Sequence, residues 1–406
     1  MLQLGAMVFV VALGYGVGLP LLQLYLARYL GSAKPALIAW HVGMLGGVYT
    51  FALFVFAPLW GRLSDRYGRT AVLSAAFGTF LLGTAVAALA PSLTIAYAAR
   101  FLAGAGAAAI VPTAQAYIDD ISTPVARSRR FVLLGSASFV GFLAGPEIGT
   151  WIAGPIMGMP VGRMPLMVNW PAIAVALGGV PLLLLAPWGL GRKRAAVARE
   201  VSPQTSRVRR QFVRASMGVS MLASFAVGTF EVGFTLFGGQ TLGLASSTMA
   251  VMFVTCSLSM LVAQSTLLFD GVRRRINQRW VAAAFSAAAL ALTFTSTVPG
   301  AAALGLLIAV VATGIGIVGP VLSYELLERH GAARGALLGR QAAAGNLGQA
   351  LGSFSAGSLF AWHPMAPFWT SALVLAFGAT VVLTWWGPAR DGEIAAGERS
   401  LDTDRK

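Results

Sequence analysis

The chain has 406 residues, of which 57% are hydrophobic and only 11% charged, with a mean hydropathy of +0.75; soluble domains carry about 25% charged residues. That balance excludes a water-soluble fold, because apolar runs of roughly 18 residues or more recur, each long enough for a hydrocarbon core of roughly 30 Å. The formal charge of +15 and a pI near 11.1 do not indicate nucleic acid, since the basic residues are scattered through short connections rather than gathered in one patch.

Taken in order, the apolar runs predict twelve spans at 5–27, 40–60, 70–90, 93–117, 131–153, 166–187, 213–237, 246–269, 279–297, 301–324, 335–360 and 366–387. The first lacks a cationic leader and a small-residue cleavage site, so it reads as a span rather than a removed signal. With both termini cytoplasmic, Arg28, Lys34 and Arg163 fall outside, Arg100 falls within a span, and the remainder of the 29 Lys and Arg lie inside. That asymmetry sets the orientation and predicts a multi-pass bacterial inner-membrane protein. The single cysteine, Cys256, permits no internal disulfide, and His41, His330 and His363 are too far apart in sequence to suggest a metal site. No cofactor is expected, and the absence of a G-x-x-x-x-G-K-[ST] phosphate loop excludes ATP hydrolysis by this chain.

The stretch Gly61–Arg69, Gly-Arg-Leu-Ser-Asp-Arg-Tyr-Gly-Arg, lies between the second and third spans. Gly61 and Gly68 suit a tight turn between helix ends. Asp65 stands among Arg62, Arg66 and Arg69, a carboxylate among guanidiniums at a membrane surface. This G-x-x-x-D-R-x-G-R pattern resembles the signature of the major facilitator superfamily of transporters. The halves also look like distant copies: Asp65, Gly104, Pro112 and Arg127 recur as Asp270, Gly314, Pro320 and Arg334 at a nearly constant shift. The predicted fold is therefore all-α and membrane-integral, with 12 transmembrane helices in two pseudo-symmetric six-helix bundles. Residues 1–190 form the first bundle, 191–211 a cytoplasmic linker, 212–388 the second bundle and 389–406 a cytoplasmic tail. The resemblance places a substrate site between the bundles near the midplane, and implies a monomer working with a small-molecule substrate, protons and the lipid bilayer.

Two further elements extend the resemblance. Arg100 with Gly104 and Gly106 is similar to the R-x-x-x-G-x-G element of the fourth span, with Ala103 where a glutamine often stands. Gly141, Gly145, Pro146 and Gly149 resemble the G-x-x-x-G-P-x-x-G element of drug:proton antiporters, with Thr150 replacing its last glycine; this implies export rather than uptake. Independently of any family, glycines at every fourth position form a stripe that another helix can approach closely. Glu147 is then roughly 200° around the helix from Gly145. Because a carboxylate facing lipid is costly, a polar cavity is its expected destination.

Arg100, Glu147 and Glu231 are the ionisable groups well inside the spans, and helical rise places all three in one outer layer. They are the proton-coupling candidates: Arg100 offsets one acid while the other, desolvated, accepts the proton. Glu147 is favoured because it lies in the antiporter-like element, and the alternative is a structural Arg100–Glu147 ion pair. Asp119 and Asp120, ahead of Arg127, are expected either to pair with the Gly61–Arg69 arginines in a cytoplasmic gate or to be solvated. Tyr15, Gln23, Tyr25, Phe230, Phe234, Asn346 and Gln349 are the cavity candidates, with ordinary helix packing as the alternative. The sum is a proton-coupled exporter of amphipathic small molecules or drugs. A dedicated siderophore or metabolite exporter is the alternative; a proton symporter or a membrane enzyme fits less well, since Asp119-Asp120 lacks the further oxygen ligands that divalent metals need.

Overall fold

In the computed structural model, residues 1–18, 20–31, 34–122, 124–157, 169–189, 207–268, 278–296, 301–329 and 334–385 are described. Most of the expected linker, all of the expected tail, Asp270 and His330 lie outside them. The first half comprises α1 (Leu2–Gly18), α2 (Leu22–Leu30), α3 (Pro35–Tyr67), α4 (Arg69–Leu89), α5 (Leu93–Ile121), α6 (Pro124–Met157) and α7 (Trp170–Gly189). The second comprises α8 (Arg207–Leu236), α9 (Ser246–Ser265), α10 (Gln278–Thr293), α11 (Ala301–Gly316), α12 (Val318–Arg329), α13 (Arg334–Trp362) and α14 (Ala366–Trp385). A helical bundle is what the composition demands, because a backbone in hydrocarbon must satisfy its own hydrogen bonds.

Several boundaries differ from those read in the sequence, and the reasons are local. The first expected span is two helices interrupted near Pro20, which lacks an N–H to continue the ladder. The tenth is likewise divided between α11 and α12, just ahead of Pro320. The expected loop at Gly61–Arg69 is almost entirely helical: α3 runs through Tyr67, and Gly68 alone makes the turn at φ +91°. A side chain is strained at that φ, whereas Gly61 sits within α3 with open space around it. Against the twelve spans expected, eight helices among the described residues are long and apolar enough to cross a membrane. α1 and the Trp170–Ala186 part of α7 are apolar but shorter, and α13 carries Arg340, Gln341, Asn346 and Gln349 along its length.

Among the described residues the apolar side chains form two cores. One is built only from residues of the first half, including Leu4, Met7, Phe77, Phe80, Ile110 and Val175. The other centres on Phe230, Phe234, Phe253, Phe285 and Phe368 of the second half and takes in Leu26, Ala39, Val42 and Leu45 from the first. Since lipid is as apolar as leucine, close approach of backbones rather than exclusion of water selects the contacts. Gly141, Gly145 and Gly149 of α6 face α1: a Cβ at Gly141 would collide with the Phe9 carbonyl, one at Gly145 would stand 2.8 Å from Gly16, and one at Gly149 2.9 Å from the Val17 oxygen. Pro146 lies on the same contact, 3.2 Å from where a Gly16 Cβ would be.

The halves meet along α3 and α13. Gly43 packs on Ser353 and Gly357, and Gly357 on the Ala39 carbonyl, so the touching glycines lie in the N-terminal part of α3. Gln23 donates to the Thr235 carbonyl and Gln240 to that of Pro35, closing the halves at the same end. The end that carries Gly68 lies opposite.

Candidate functional site

At the junction of the halves three polar side chains converge. The Tyr15 hydroxyl of α1 donates to Glu231 Oε2 of α8 at 2.8 Å. Gln349 Nε2 of α13 lies 3.2 Å from both the Tyr15 oxygen and the same carboxylate oxygen. One acid is thus held by a donor from each half of the molecule. Among the described residues no basic side chain forms an ion pair with it.

This cluster forms one wall of a cavity of about 350 Å³. Val8, Val11, Tyr49, Leu53, Val111 and Phe142 line it from the first half, and Val227, Phe230, Phe253, Met260, Val311 and Ile315 from the second. From Glu231 it spreads toward the end that carries Gly68, the halves being closed on the other side. Aliphatic and aromatic walls with Glu231, Gln349, Tyr15 and Thr50 as polar points suit an apolar molecule bearing a few polar groups.

Arg100 approaches the acid without pairing with it. Its guanidinium lies over the Tyr49 ring, 5.7 Å from the centroid, and both Arg100 and Glu231 border a small void that Tyr15, Thr235 and Ser353 also line. Glu147 is elsewhere. It is exposed on α6 beside Ile148, one turn from Trp151, which is 81% exposed, and it lines neither this cavity nor the smaller one around Arg100. The layer expected to hold three ionisable groups therefore brings two together, and the alternative Arg100–Glu147 pair is not formed.

Of the cavity candidates, Tyr15, Phe230 and Gln349 line the main cavity, and Tyr25 lines the smaller one. Phe234 is a fully buried core residue stacked on Phe230, Gln23 serves the contact between halves, and Asn346 is half-buried on α13 outside both linings. Tyr49, Phe142, Cys256 and Met260 were missed by sequence reasoning. Only their apolar character was visible there, and packing residues share it. At the Gly68 end, Arg69 donates to Asp65 Oδ1 at 2.6 Å, to Ser64 Oγ at 2.9 Å and to Asp120 Oδ2 at 3.2 Å, tying α3, α4 and α5 of one half together. Arg62 and Arg66 are exposed on the last turns of α3, Asp119 is exposed on α5, and the side chain of Arg127 lies outside the described residues.

Residues 4–333 match the family described as the Major Facilitator Superfamily. The chain belongs to that superfamily. Like other members of the superfamily it is a multi-pass membrane transporter of small molecules and not an enzyme. It is 25% identical over 386 residues to multidrug resistance protein 2 of Bacillus subtilis strain 168, covering 93% of each chain. It is also 37% identical over 175 residues to the class C tetracycline resistance protein of Escherichia coli, 43% of this chain and 40% of that one. Its fold matches an inward-facing, occupied bacterial homologue of the lysosomal transporter Spinster with a TM-score of 0.72 at 15% identity, covering 96% of this chain and 98% of that one.

Proposed function

We propose that this superfamily member is a proton-coupled exporter of amphipathic small molecules, and that Glu231 carries the coupling proton. The observation behind the reading is the Tyr15–Glu231–Gln349 cluster. A carboxylate at the junction of two halves, in an apolar cavity and without an ion-pair partner among the described residues, is held by two neutral donors. Proton binding neutralises this carboxylate at the point where cargo binds. Tyr15 belongs to one half and Glu231 and Gln349 to the other. Rocking of the halves therefore breaks or remakes the Tyr15 hydrogen bond and changes the proton affinity between conformations.

With the basic ends of α3 and α6 in the cytoplasm, the cavity faces inward, the state in which an exporter loads. A cation with an aromatic or aliphatic body fits best, its charge near Glu231 and its body against Phe142, Phe230 and Met260. The multidrug and tetracycline resistance proteins among the relatives support export of drug-like cargo. A single chain in the bacterial inner membrane, with both termini cytoplasmic, suffices for this cycle.

The test uses inside-out vesicles with an acidic interior. Several unrelated cationic amphipaths should collapse the pH gradient in the wild type and none in Glu231→Gln. Collapse that persists in Glu231→Gln at equal expression would sink the assignment of the acid. Collapse by one siderophore or metabolite alone would replace a broad exporter with a dedicated one.

A further inference from the structure

Arg100 has a cavity of its own. About 90 Å³ of space inside the first half is lined by Gly18, Tyr25, Tyr29, Thr84, Asn169 and the Arg100 side chain. Tyr49 forms a wall of both this space and the main cavity, so the two are neighbours rather than one chamber. Among the described residues the guanidinium takes part in no hydrogen bond or ion pair; its one contact of a polar kind is with the face of the Tyr49 ring. A guanidinium has five N–H donors and is always charged. Leaving it uncompensated in a protein interior costs several kcal/mol per ion.

The surroundings compensate only part of that charge. Arg100 packs against Gly18, the last residue of α1, with Nη2 2.9 Å from where a Cβ on that glycine would stand. The C-terminal end of a helix offers roughly half a negative charge. The ring of Tyr49 adds a weak cation–π attraction. Glu231 lies outside this cavity and meets Arg100 only across the separate small void that Tyr15, Thr235 and Ser353 line, and its Oε2 is already engaged by Tyr15 and Gln349. Asn169 caps α7 by accepting from the Ala172 N–H through Oδ1, which leaves its amide group as a donor on the same cavity wall.

We propose that this pocket is a binding site for a small monovalent anion, a halide or a carboxylate, held by the Arg100 guanidinium with Asn169 as a second donor. The volume admits one such group with a water or two and excludes an amphipathic cargo, which belongs in the larger cavity. A carboxylate could be a free ion or the acid head of a cargo whose body rests beyond Tyr49. The pocket does not depend on Glu231 being the proton carrier.

Purified full-length chain in detergent would be melted in sodium formate or chloride, against sodium gluconate at equal ionic strength. Formate and chloride should raise the melting temperature with the logarithm of their concentration once it exceeds the dissociation constant, by about 2 °C at tenfold above it, while gluconate, too large for the pocket, should not. Arg100→Met should lose the rise. Ala172→Leu fills the pocket, leaves the arginine in place and should lose it too, so the result survives if Arg100→Met does not fold. No difference between formate and gluconate in folded wild type, or a rise retained in both variants, would overturn the site. A rise absent in wild type but present in Glu231→Gln would also overturn it, by making Glu231 the counter-ion. If an aromatic carboxylate suppresses the formate effect and crosses the membrane in wild-type vesicles but not in Arg100→Met, the anion is a cargo head group. If it does neither while formate still binds, the ligand is a free ion.

Discussion

Glu147 and Glu231 have nearly the same description in the sequence: each is a lone carboxylate in an apolar span. In the fold they have opposite surroundings. Glu231 is held by Tyr15 and Gln349 at the junction of the halves, whereas Glu147 is exposed on α6 beside Ile148 and one turn from Trp151. Helical phase does set Glu147 apart from Gly141, Gly145 and Gly149, which face α1. The face opposite a packed stripe, however, is in this case the surface and not a cavity. A carboxylate at the bilayer centre costs roughly 3 kcal/mol on insertion scales, and less off-centre. That penalty is too small to guarantee an inward orientation.

The largest effect separates the two acids directly. Glu231→Gln should lower proton-driven flux by about tenfold or more, as expected for loss of a buried coupling acid. Glu147→Gln should leave flux within about twofold, since substitutions on an exposed face away from special features are usually close to neutral. Gradient-driven uptake into inside-out vesicles at matched expression reads both. The opposite ranking would return the coupling role to α6.

Next is the packed face of the helix that carries Glu147. Gly145→Val places its Cβ 2.8 Å from Gly16, backbone on backbone, where neither helix can yield cheaply. A destabilisation of about 1–3 kcal/mol is expected for overpacking of this kind, seen as a lower melting temperature, while Glu147→Gln two residues away leaves melting unchanged. Equal stability of Gly145→Val and wild type would mean that α1 and α6 do not pack as described.

Class, family and several contacts were legible in the sequence because they depend on composition and on short local patterns. Apolar length specifies helices, and glycines at every fourth position specify a helix neighbour. The Asp65–Arg69 spacing puts a carboxylate and a guanidinium one turn apart. Pairing between distant segments was not legible. Tyr15 and Gln349 were named as cavity residues, but nothing in either segment shows that they share an oxygen of Glu231, because that proximity arises from the docking of α1, α8 and α13. Cys256 and Met260 were not named as cavity residues for the same reason: an apolar residue facing a cavity has the same local sequence as one facing a neighbour. The nine-residue motif was recognised while its geometry was misread, since glycine permits a turn without requiring one and Gly61 stays helical.

Tyr15→Phe sharpens the comparison from the side of Glu231. It keeps the ring and removes the hydroxyl that donates to the carboxylate at 2.8 Å. Losing one hydrogen bond to a charged group is worth about 1.5–3 kcal/mol, but Gln349 remains on the same oxygen and compensates in part. Removing a donor to the carboxylate favours its protonated form. The pH at which vesicle transport is half-maximal should therefore move up, with flux a few-fold lower, whereas Glu147→Gln leaves the profile in place. An unchanged profile in a folded Tyr15→Phe protein would disconnect α1 from the titrating acid.

The smallest effect concerns two carboxylates on one guanidinium, and applies the same lesson outside the apolar core. Arg69 pairs with Asp65, whose side chain is 66% exposed, and with Asp120, at 16%. The Asp65 contact is shorter, 2.6 Å against 3.2 Å, so distance alone ranks it first. Surroundings reverse that order. Water screens Asp65, and i,i+4 surface pairs contribute only about 0.3–0.5 kcal/mol. Asp120 is largely desolvated and joins α5 to the start of α4, so its loss leaves Arg69 with the Ser64 hydroxyl and one solvated carboxylate. Asp120→Asn should lower the melting temperature measurably and Asp65→Asn hardly at all. If Asp65→Asn proves the more damaging, the acid on the last turn of α3 does more than pair with its own helix neighbour, and its role must be sought in a conformation where the Gly68 ends of the halves close.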